Sequence, residues 1–162
     1  DEASHVERIR NLIQEATDKT KTFARGLCPV NLEADGLRTA LCELARKTED
    51  FYGVLCKLKC PASVLIYDNT VATHLFYITQ EAVNNAVRHG RARNIEIELV
   101  AEDSRLTLKI TDDGVGMASI THEGGMGLRT MDFRARVIGK SMRVYRSPSG
   151  GTTVECVPTP QL

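Results

Sequence analysis

Several features that define common protein classes are absent from this sequence of 162 residues. It has no tryptophan and only 5% aromatic residues, so stacking surfaces for bases or sugars are scarce. Its 21 basic and 21 acidic side chains give a formal charge of zero, which argues against a general nucleic-acid binder because such proteins need a basic field. No apolar run approaches the roughly 18–20 residues of a membrane span. Residues 1–25 are charged throughout and lack the apolar stretch of a signal peptide.

The cysteines are few and odd in number. An odd count does not fit a secreted disulfide framework. Cys56 and Cys60 are close in the chain, but no second Cys or His pair lies near them to complete a zinc site. We therefore expect free thiols in a reducing compartment, which favours a cytoplasmic location and is compatible with a parent protein that is anchored in a membrane.

The first helical segment has a regular apolar seam. Apolar or small residues recur in alternating steps of three and four, as in a helix that packs along other helices. Pro29 cannot continue the helix, and Gly26 favours its termination nearby. The seam favours a helical-hairpin or dimerisation element over residues 1–28, with a second domain over residues 29–162. An ordinary amphipathic surface helix is the alternative. The seam consists of Val6, Ile9, Ile13, Ala16, Thr20, Phe23 and Leu27.

Hydrophobic periodicity predicts the remaining elements. Helical spacing gives way to alternation from Arg93 onwards, which indicates a β-hairpin with one buried face. Asn69 is the expected N-cap of the third helix. The order of elements predicts a two-layer α/β (α+β) sandwich, in which helices cover one face of a mixed, mostly antiparallel sheet. The other predicted helices span 37–50 and 128–137, and the predicted strands span 53–60, 64–67, 95–99, 106–110, 141–147 and 152–157.

A polar cluster follows one face of the third helix. Glu81, Asn85, Arg88 and His89 have the i, i+4, i+7 and i+8 spacing that places side chains on the same face. A carboxylate, an amide, a guanidinium and an imidazole together can hold a divalent metal and phosphates. The amide oxygen of Asn85 is a hard ligand suited to Mg²⁺. A solvated polar face is the alternative.

A second cluster follows the predicted strand 106–110. Asp112 can accept a hydrogen bond from an exocyclic amine, and Gly114 and Gly116 allow the backbone to approach a flat ligand. The alternative is a simple turn, because Asp-Gly is a common turn pair.

Glycines also precede the helix predicted over 128–137. Gly124, Gly125 and Gly127 leave backbone N–H groups available to a phosphate, with the helix dipole behind them. The polar stretch 117–126 could then fold over a ligand as a lid. A flexible loop is the alternative.

Together these motifs resemble the N, G1 and G2 boxes of the GHKL superfamily, which includes the gyrase, Hsp90 and MutL ATPases and the sensor histidine kinases. The chain is most similar to the catalytic ATP-binding domain of a sensor histidine kinase of the nitrate- and desaturase-sensor type. The resemblance covers residues 5–158 and implies the Bergerat fold. It rests on QEAxxNAxxH at 80–89, GxGLxxM at 125–131, a short lid without an F box, an LxPxxLxxxGL-like linker at 27–37 and GGT at 150–152.

The resemblance implies a role for each site residue. Asp112 would accept the adenine amino group, and Gly114 and Gly116 would line the base. Asn85 would coordinate Mg²⁺ at the phosphates, while Glu81 would orient a water on the metal or assist proton transfer. The other implied nucleotide contacts are Arg88, His89, Met117, Gly125, Met126, Gly127, Leu128 and Thr152.

The implied reaction is transfer of the γ-phosphoryl group of ATP to a histidine on a hairpin domain, for relay to a response-regulator receiver domain. The resemblance also implies that residues 1–28 are the second helix of the dimerisation hairpin and that residues 29–162 are the ATP-binding catalytic domain. The parent would be a homodimer. His5 is followed by Val6, whereas the family's acceptor histidine is followed by an acidic residue, so we expect the acceptor upstream of Asp1. One alternative is a GHKL serine kinase of the anti-sigma type, which would lack the N-terminal seam. The other is a module that binds nucleotide or dimerises without activity.

Overall fold

The structure is a computed structural model that describes residues 35–102, 105–116, 125–148 and 150–159. The predicted hairpin helix over 1–28 and its boundary with the second domain lie outside the described residues. The described elements follow the predicted order. They are α1 (Gly36–Tyr52), β1 (Leu55–Lys59), α2 (Asn69–Asn85), a π-helical turn (Ala86–Gly90), β2 (Asn94–Glu102), β3 (Arg105–Asp112), α3 (Met126–Val137), β4 (Lys140–Arg146) and β5 (Thr152–Pro158).

The five strands form one sheet in the order β1-β2-β3-β5-β4. Strand β1 runs parallel to β2, and the other three neighbouring pairs are antiparallel. The predicted hairpin is present, with Ile97 opposite Ile110. The predicted mixed, mostly antiparallel sheet is therefore confirmed.

Helices α1, α2 and α3 share one hydrophobic core with the inward side chains of the strands. Ile95, Ile97 and Leu99 are at most 2% exposed and alternate with more exposed residues, because successive side chains of a strand point to opposite faces. Leu75 and Ile78 of α2 are fully buried against them. Each such side chain stabilises the fold by roughly 1.5–3 kcal/mol.

The outer face of the sheet carries a row of charges whose sign alternates from strand to strand. In cross-strand register, the row runs through Lys59, Glu98, Lys109, Glu155 and Arg143. Glu98 lies 3.7 Å from the Lys59 ammonium and 3.4 Å from the Lys109 ammonium. Opposite charges in register favour this alignment of the strands.

Two local predictions are wrong. The N-cap of α2 is Asp68 rather than Asn69, because the Asp68 carboxylate accepts hydrogen bonds from the N–H groups of Thr70 (2.8 Å) and Val71 (3.1 Å). The apolar stretch 64–67 is not a strand. It follows a turn in which the Val64 N–H donates to Pro61, and Val64 fills the core without entering the sheet.

Among the described helices, none is both long and apolar enough to cross a membrane.

Candidate functional site

A cavity of about 550 Å³ lies between α2, the N-terminus of α3 and the ends of β3 and β5. Most of the residues predicted to bind a ligand meet in its wall, although they come from four separate segments. Arg88 and Gly114 do not line it, and Met117 lies outside the described residues. The predicted residues that do line it are Glu81, Asn85, His89, Asp112, Gly116, Gly125, Met126, Gly127, Leu128 and Thr152.

The π-helical turn changes the polar face of α2. Glu81 and Asn85 are one α-helical turn apart and both line the cavity. After Asn85 the helix widens, and the N–H of Arg91 donates to the carbonyl of Ala86, five residues earlier. This keeps His89 in the cavity wall and leaves Arg88 outside it. The prediction that Arg88 shares the face of the other three residues is therefore wrong.

Small side chains make up much of the wall, and sequence reasoning missed them as site residues. Ala82 and Ala86 belong to the hydrophobic core. They are 5% and 3% exposed, but they also border the cavity. Gly90 lies beside them. The available signal was the run of small residues at helical spacing, which gives a flat wall with room for a ligand. Met131 and Val154 are further wall residues that were not predicted as contacts, although Met131 is the last residue of the GxGLxxM motif.

Asp112 is 7% exposed and ends strand β3 in the cavity wall. Burial raises the pKa of the Asp112 carboxyl above its ordinary value. Backbone hydrogen bonds from Gly114, at 2.8 Å, and from Thr152 oppose this shift, and the neighbouring charge of Asp113 adds to it. A buried carboxyl with a perturbed pKa in a cavity is typical of a functional site.

The next residue, Asp113, has a structural role. Its Oδ1 accepts hydrogen bonds from the backbone N–H groups of Arg93 (2.8 Å) and Asn94 (2.9 Å), and its Oδ2 accepts one from the side-chain amide of Asn94 (2.6 Å). The hydrogen bond from the Asn94 side chain is the main reason that the pKa of Asp113 is lowered. Asp113 thus ties the start of β2 to the end of β3.

Three glycines allow the segments around Asp112 to pack closely. A Cβ atom on Gly114 would overlap the carbonyl of Gly90, and one on Gly151 would overlap the backbone and carboxylate of Asp112. Gly114, predicted to line the base, packs against Gly90 and donates its N–H to Asp112 Oδ1. Gly151 was not predicted as a site residue. Gly116 has a positive φ of 72°, and a Cβ there would lie 2.8 Å from the carbonyl oxygen of Gly150.

Helix α3 begins at the cavity. Gly125 is its N-cap, without a side-chain cap, and the four residues from Gly125 to Leu128 all line the cavity. The first N–H groups of an α-helix have no carbonyl acceptor in a preceding helical turn, and the helix dipole favours an anion at this N-terminus. The Leu128 N–H is 3.0 Å from the Gly125 carbonyl oxygen and closes the first turn. This end of the cavity suits a phosphate.

The possible metal ligands in the cavity are oxygen atoms. Glu81 offers a carboxylate and Asn85 an amide oxygen, which are hard donors that suit Mg²⁺. Among the described residues, no group of three or more His, Cys, Asp or Glu side chains could hold a metal by itself. Mg²⁺ usually takes one or two protein oxygens and completes its shell with phosphates and water. The donor set therefore fits a metal that arrives with a phosphorylated ligand.

Residues 70–161 match the family model described as histidine kinase-, DNA gyrase B- and HSP90-like ATPase. The chain belongs to this family of ATPases. The match contains every residue that lines the cavity, and the GHKL superfamily predicted from the motifs is thereby confirmed.

Curated relatives of this ATPase domain include sensor kinases. The sensor histidine kinase LiaS of Bacillus subtilis is 32% identical over an alignment of 160 positions that covers 93% of this chain and 42% of LiaS. The sensor protein VraS of Staphylococcus saprophyticus is 28% identical over an alignment of 152 positions that covers 91% of this chain and 42% of VraS. The chain thus spans less than half the length of these relatives.

Solved structures confirm the sandwich fold. The ATP-binding domain of PrrB from Mycobacterium tuberculosis superposes with a TM-score of 0.61 at 23% identity, over 75% of this chain and 92% of that one. The histidine kinase AdeS of Acinetobacter baumannii gives a TM-score of 0.64 at 15% identity, over 95% of this chain and 79% of that one.

Proposed function

We propose that this ATPase domain is the catalytic domain of a sensor histidine kinase, which binds ATP with Mg²⁺ and transfers the γ-phosphoryl group to a histidine on a helical hairpin. The observation that carries the proposal is that one cavity brings together three kinds of ligand-binding group. Asp112 supplies a buried acceptor, Glu81 and Asn85 supply oxygen donors, and the N-terminus of α3 supplies backbone N–H groups.

One part of the cavity holds the base of the nucleotide and the other part holds its phosphates. Asp112 accepts a hydrogen bond from the adenine amino group, and the backbone at Gly90 and Gly116 borders the base. Residues Gly125 to Leu128 receive the phosphates, with His89 and Thr152 in the same wall. Arg88, although it lies outside the cavity wall, and Met117 are further proposed contacts of the nucleotide, and Gly114 holds Asp112 through its N–H.

Glu81 and Asn85 hold the metal end of the site. Asn85 would coordinate Mg²⁺, and Glu81 would orient a water on the metal or assist proton transfer. The chemistry that the metal would supply when bound is neutralisation of phosphate charge. Because phosphoryl transfer proceeds through a loose transition state, positioning and charge neutralisation supply most of the catalysis. The protein residues need only hold the donor and the acceptor in line.

The partners follow from the same proposal. The acceptor hairpin belongs to the same protein, which acts as a homodimer and passes the phosphoryl group to a response-regulator receiver domain. The motifs at 80–89 and 125–131 support the nitrate- and desaturase-sensor branch. A cytoplasmic location fits both the supply of ATP and the free thiols. LiaS and VraS are sensor proteins, which favours this function over an anti-sigma serine kinase.

Titration with a fluorescent ATP analogue tests the nucleotide site. We expect saturable, Mg²⁺-dependent binding to the wild type and much weaker binding to Asp112→Asn. If both proteins gave the same weak signal, the nucleotide site would be abandoned. Transfer of the labelled γ-phosphoryl group to a separately supplied hairpin then tests the reaction. Acid-labile label on histidine supports the kinase, and label on serine supports the anti-sigma alternative.

A further inference from the structure

Gly127, the second residue of α3, lies against the side chain of Glu81 on α2. A Cβ atom at position 127 would overlap Glu81 Oε1 and would lie 3.1 Å from Cδ and 3.5 Å from Cγ. Gly125, two residues earlier in the same motif, has nothing within 4 Å of its own Cβ position. Only one of these two glycines therefore makes room for a carboxylate.

The backbone does not require glycine at position 127. Its φ is not among the positive values found at Gly53, Gly116, Gly139 and Gly150. It lies within α3, where alanine is the better helix former. The need for glycine at this position therefore comes from the neighbouring side chain and not from the conformation of the chain.

The atom that a side chain at 127 would meet is the mobile end of Glu81. At Gly114 and Gly151, by contrast, the obstructing atoms include backbone carbonyls that cannot move independently. Alanine at 127 would therefore leave the fold intact and rotate the Glu81 carboxylate away from the N-terminus of α3. The carboxylate would lose both its place in the cavity wall and its favourable position at the positive end of a helix dipole.

We propose that Gly127 is a positioning residue, whose missing side chain keeps the Glu81 carboxylate in the cavity wall, where it would orient a water on the metal or assist proton transfer. This inference rests on the proposed kinase function. Gly127 acts through Glu81 and in addition to any backbone contact of its own with the phosphates. Its effect is therefore expected to depend on the length of the side chain at position 81.

The test compares Gly127→Ala with Gly125→Ala. For Gly127→Ala we expect an unchanged or higher melting temperature, only a small change in the apparent KM for ATP, and a fall in kcat of roughly 10- to 100-fold, as for a misplaced catalytic group. Gly125→Ala should lower kcat by a much smaller factor because its Cβ enters open space. A crystal structure of Gly127→Ala should show the Glu81 carboxylate displaced.

Glu81→Asp provides the rescue, because its carboxylate is one methylene shorter. In that background Gly127→Ala should lower kcat by a smaller factor than in the wild type, which gives a non-additive double-mutant cycle. Three outcomes would overturn the inference: equal effects of the two alanine variants, an unmoved Glu81 carboxylate, or failure of Gly127→Ala to fold. A wild type that neither binds ATP nor transfers phosphate would instead overturn the proposed function.

Discussion

The carboxylates of Asp112 and Asp113 are adjacent in the chain, but their hydrogen-bond partners and their pKa shifts differ. Asp112 accepts the Gly114 N–H in the cavity wall, and burial raises its pKa. Asp113 accepts three hydrogen bonds from Arg93 and Asn94, and the Asn94 side chain contributes most to lowering its pKa. One carboxylate is thus available to a ligand and the other stabilises the fold.

Asparagine substitutions should separate these two roles. Asp112→Asn replaces an acceptor of the adenine amino group by an amide, and we expect ATP affinity to fall roughly 10- to 100-fold, or about 1.5–3 kcal/mol. Asp113→Asn should leave the ATP affinity of the folded protein within about threefold of the wild-type value. It should lower the free energy of unfolding by about 1–2 kcal/mol. Calorimetric titration with ATP and urea denaturation measure the two quantities. Equal loss of affinity in both variants would contradict this division.

The same pair should respond to pH with opposite signs. Asp112 has a raised pKa in the folded state, so its stabilising contribution is complete below the ordinary value of 3.8 and is lost as the pH rises through the folded pKa. Asp113 has a lowered pKa, so its contribution is present above 3.8 and is lost as the pH falls through its folded pKa. Carbon-detected NMR titration should place the Asp112 midpoint above 3.8 and the Asp113 midpoint below it. The reverse order would show that the assigned environments are wrong.

Much of this site could be predicted because its signals are local. Alternation identified β2 and β3, since each has one buried face. The spacing of Glu81 and Asn85 placed them on one helical face, and a carboxylate at a strand end indicated Asp112. These residues need only the correct secondary structure to reach the cavity.

The rest depends on contacts that no local pattern encodes. The π-helical turn inserts a residue at Ala86–Gly90, and a 3.6-residue period therefore misplaces Arg88. Gly151 meets Asp112 only because β5 lies beside β3, a pairing of segments that are distant in sequence. The stretch 64–67 has the composition of a strand but pairs with no strand of the described sheet. Whether a segment joins a sheet depends on where the other strands lie, and its own composition does not encode this.

Alanine at the tightly packed glycines should destabilise the fold itself. For Gly114→Ala and Gly151→Ala we expect losses of about 2–3 kcal/mol in unfolding free energy, because the new Cβ meets backbone atoms. Gly125→Ala should cost less than about 1 kcal/mol, the effect of alanine at an N-cap. Urea denaturation at neutral pH measures all three. A Gly151→Ala protein as stable as Gly125→Ala would contradict the close approach of β5 to Asp112.

A buried lysine explains how the sheet tolerates a proline. The register that places Leu108 opposite Cys156, when continued, places Leu106 opposite Pro158, which has no N–H to donate. Lys140, itself paired with Pro158 and 8% exposed, reaches across β5 and donates from Nζ to the Leu106 carbonyl. Burial lowers the pKa of Lys140, so the ammonium is held there at some electrostatic cost.

Lys140→Met keeps most of the apolar side chain and leaves the Leu106 carbonyl without this donor, so we expect a loss of about 1–3 kcal/mol in unfolding free energy. In a Pro158→Ala background the new backbone N–H of residue 158 can donate to the Leu106 carbonyl. Lys140→Met should then lower the free energy of unfolding by about 1 kcal/mol less than it does in the wild type. Urea denaturation of the four proteins in this cycle measures the coupling. Because the cavity wall contains neither residue, ATP affinity serves as the control for a preserved fold. Additive effects of the two substitutions would show that Lys140 does not replace the missing donor.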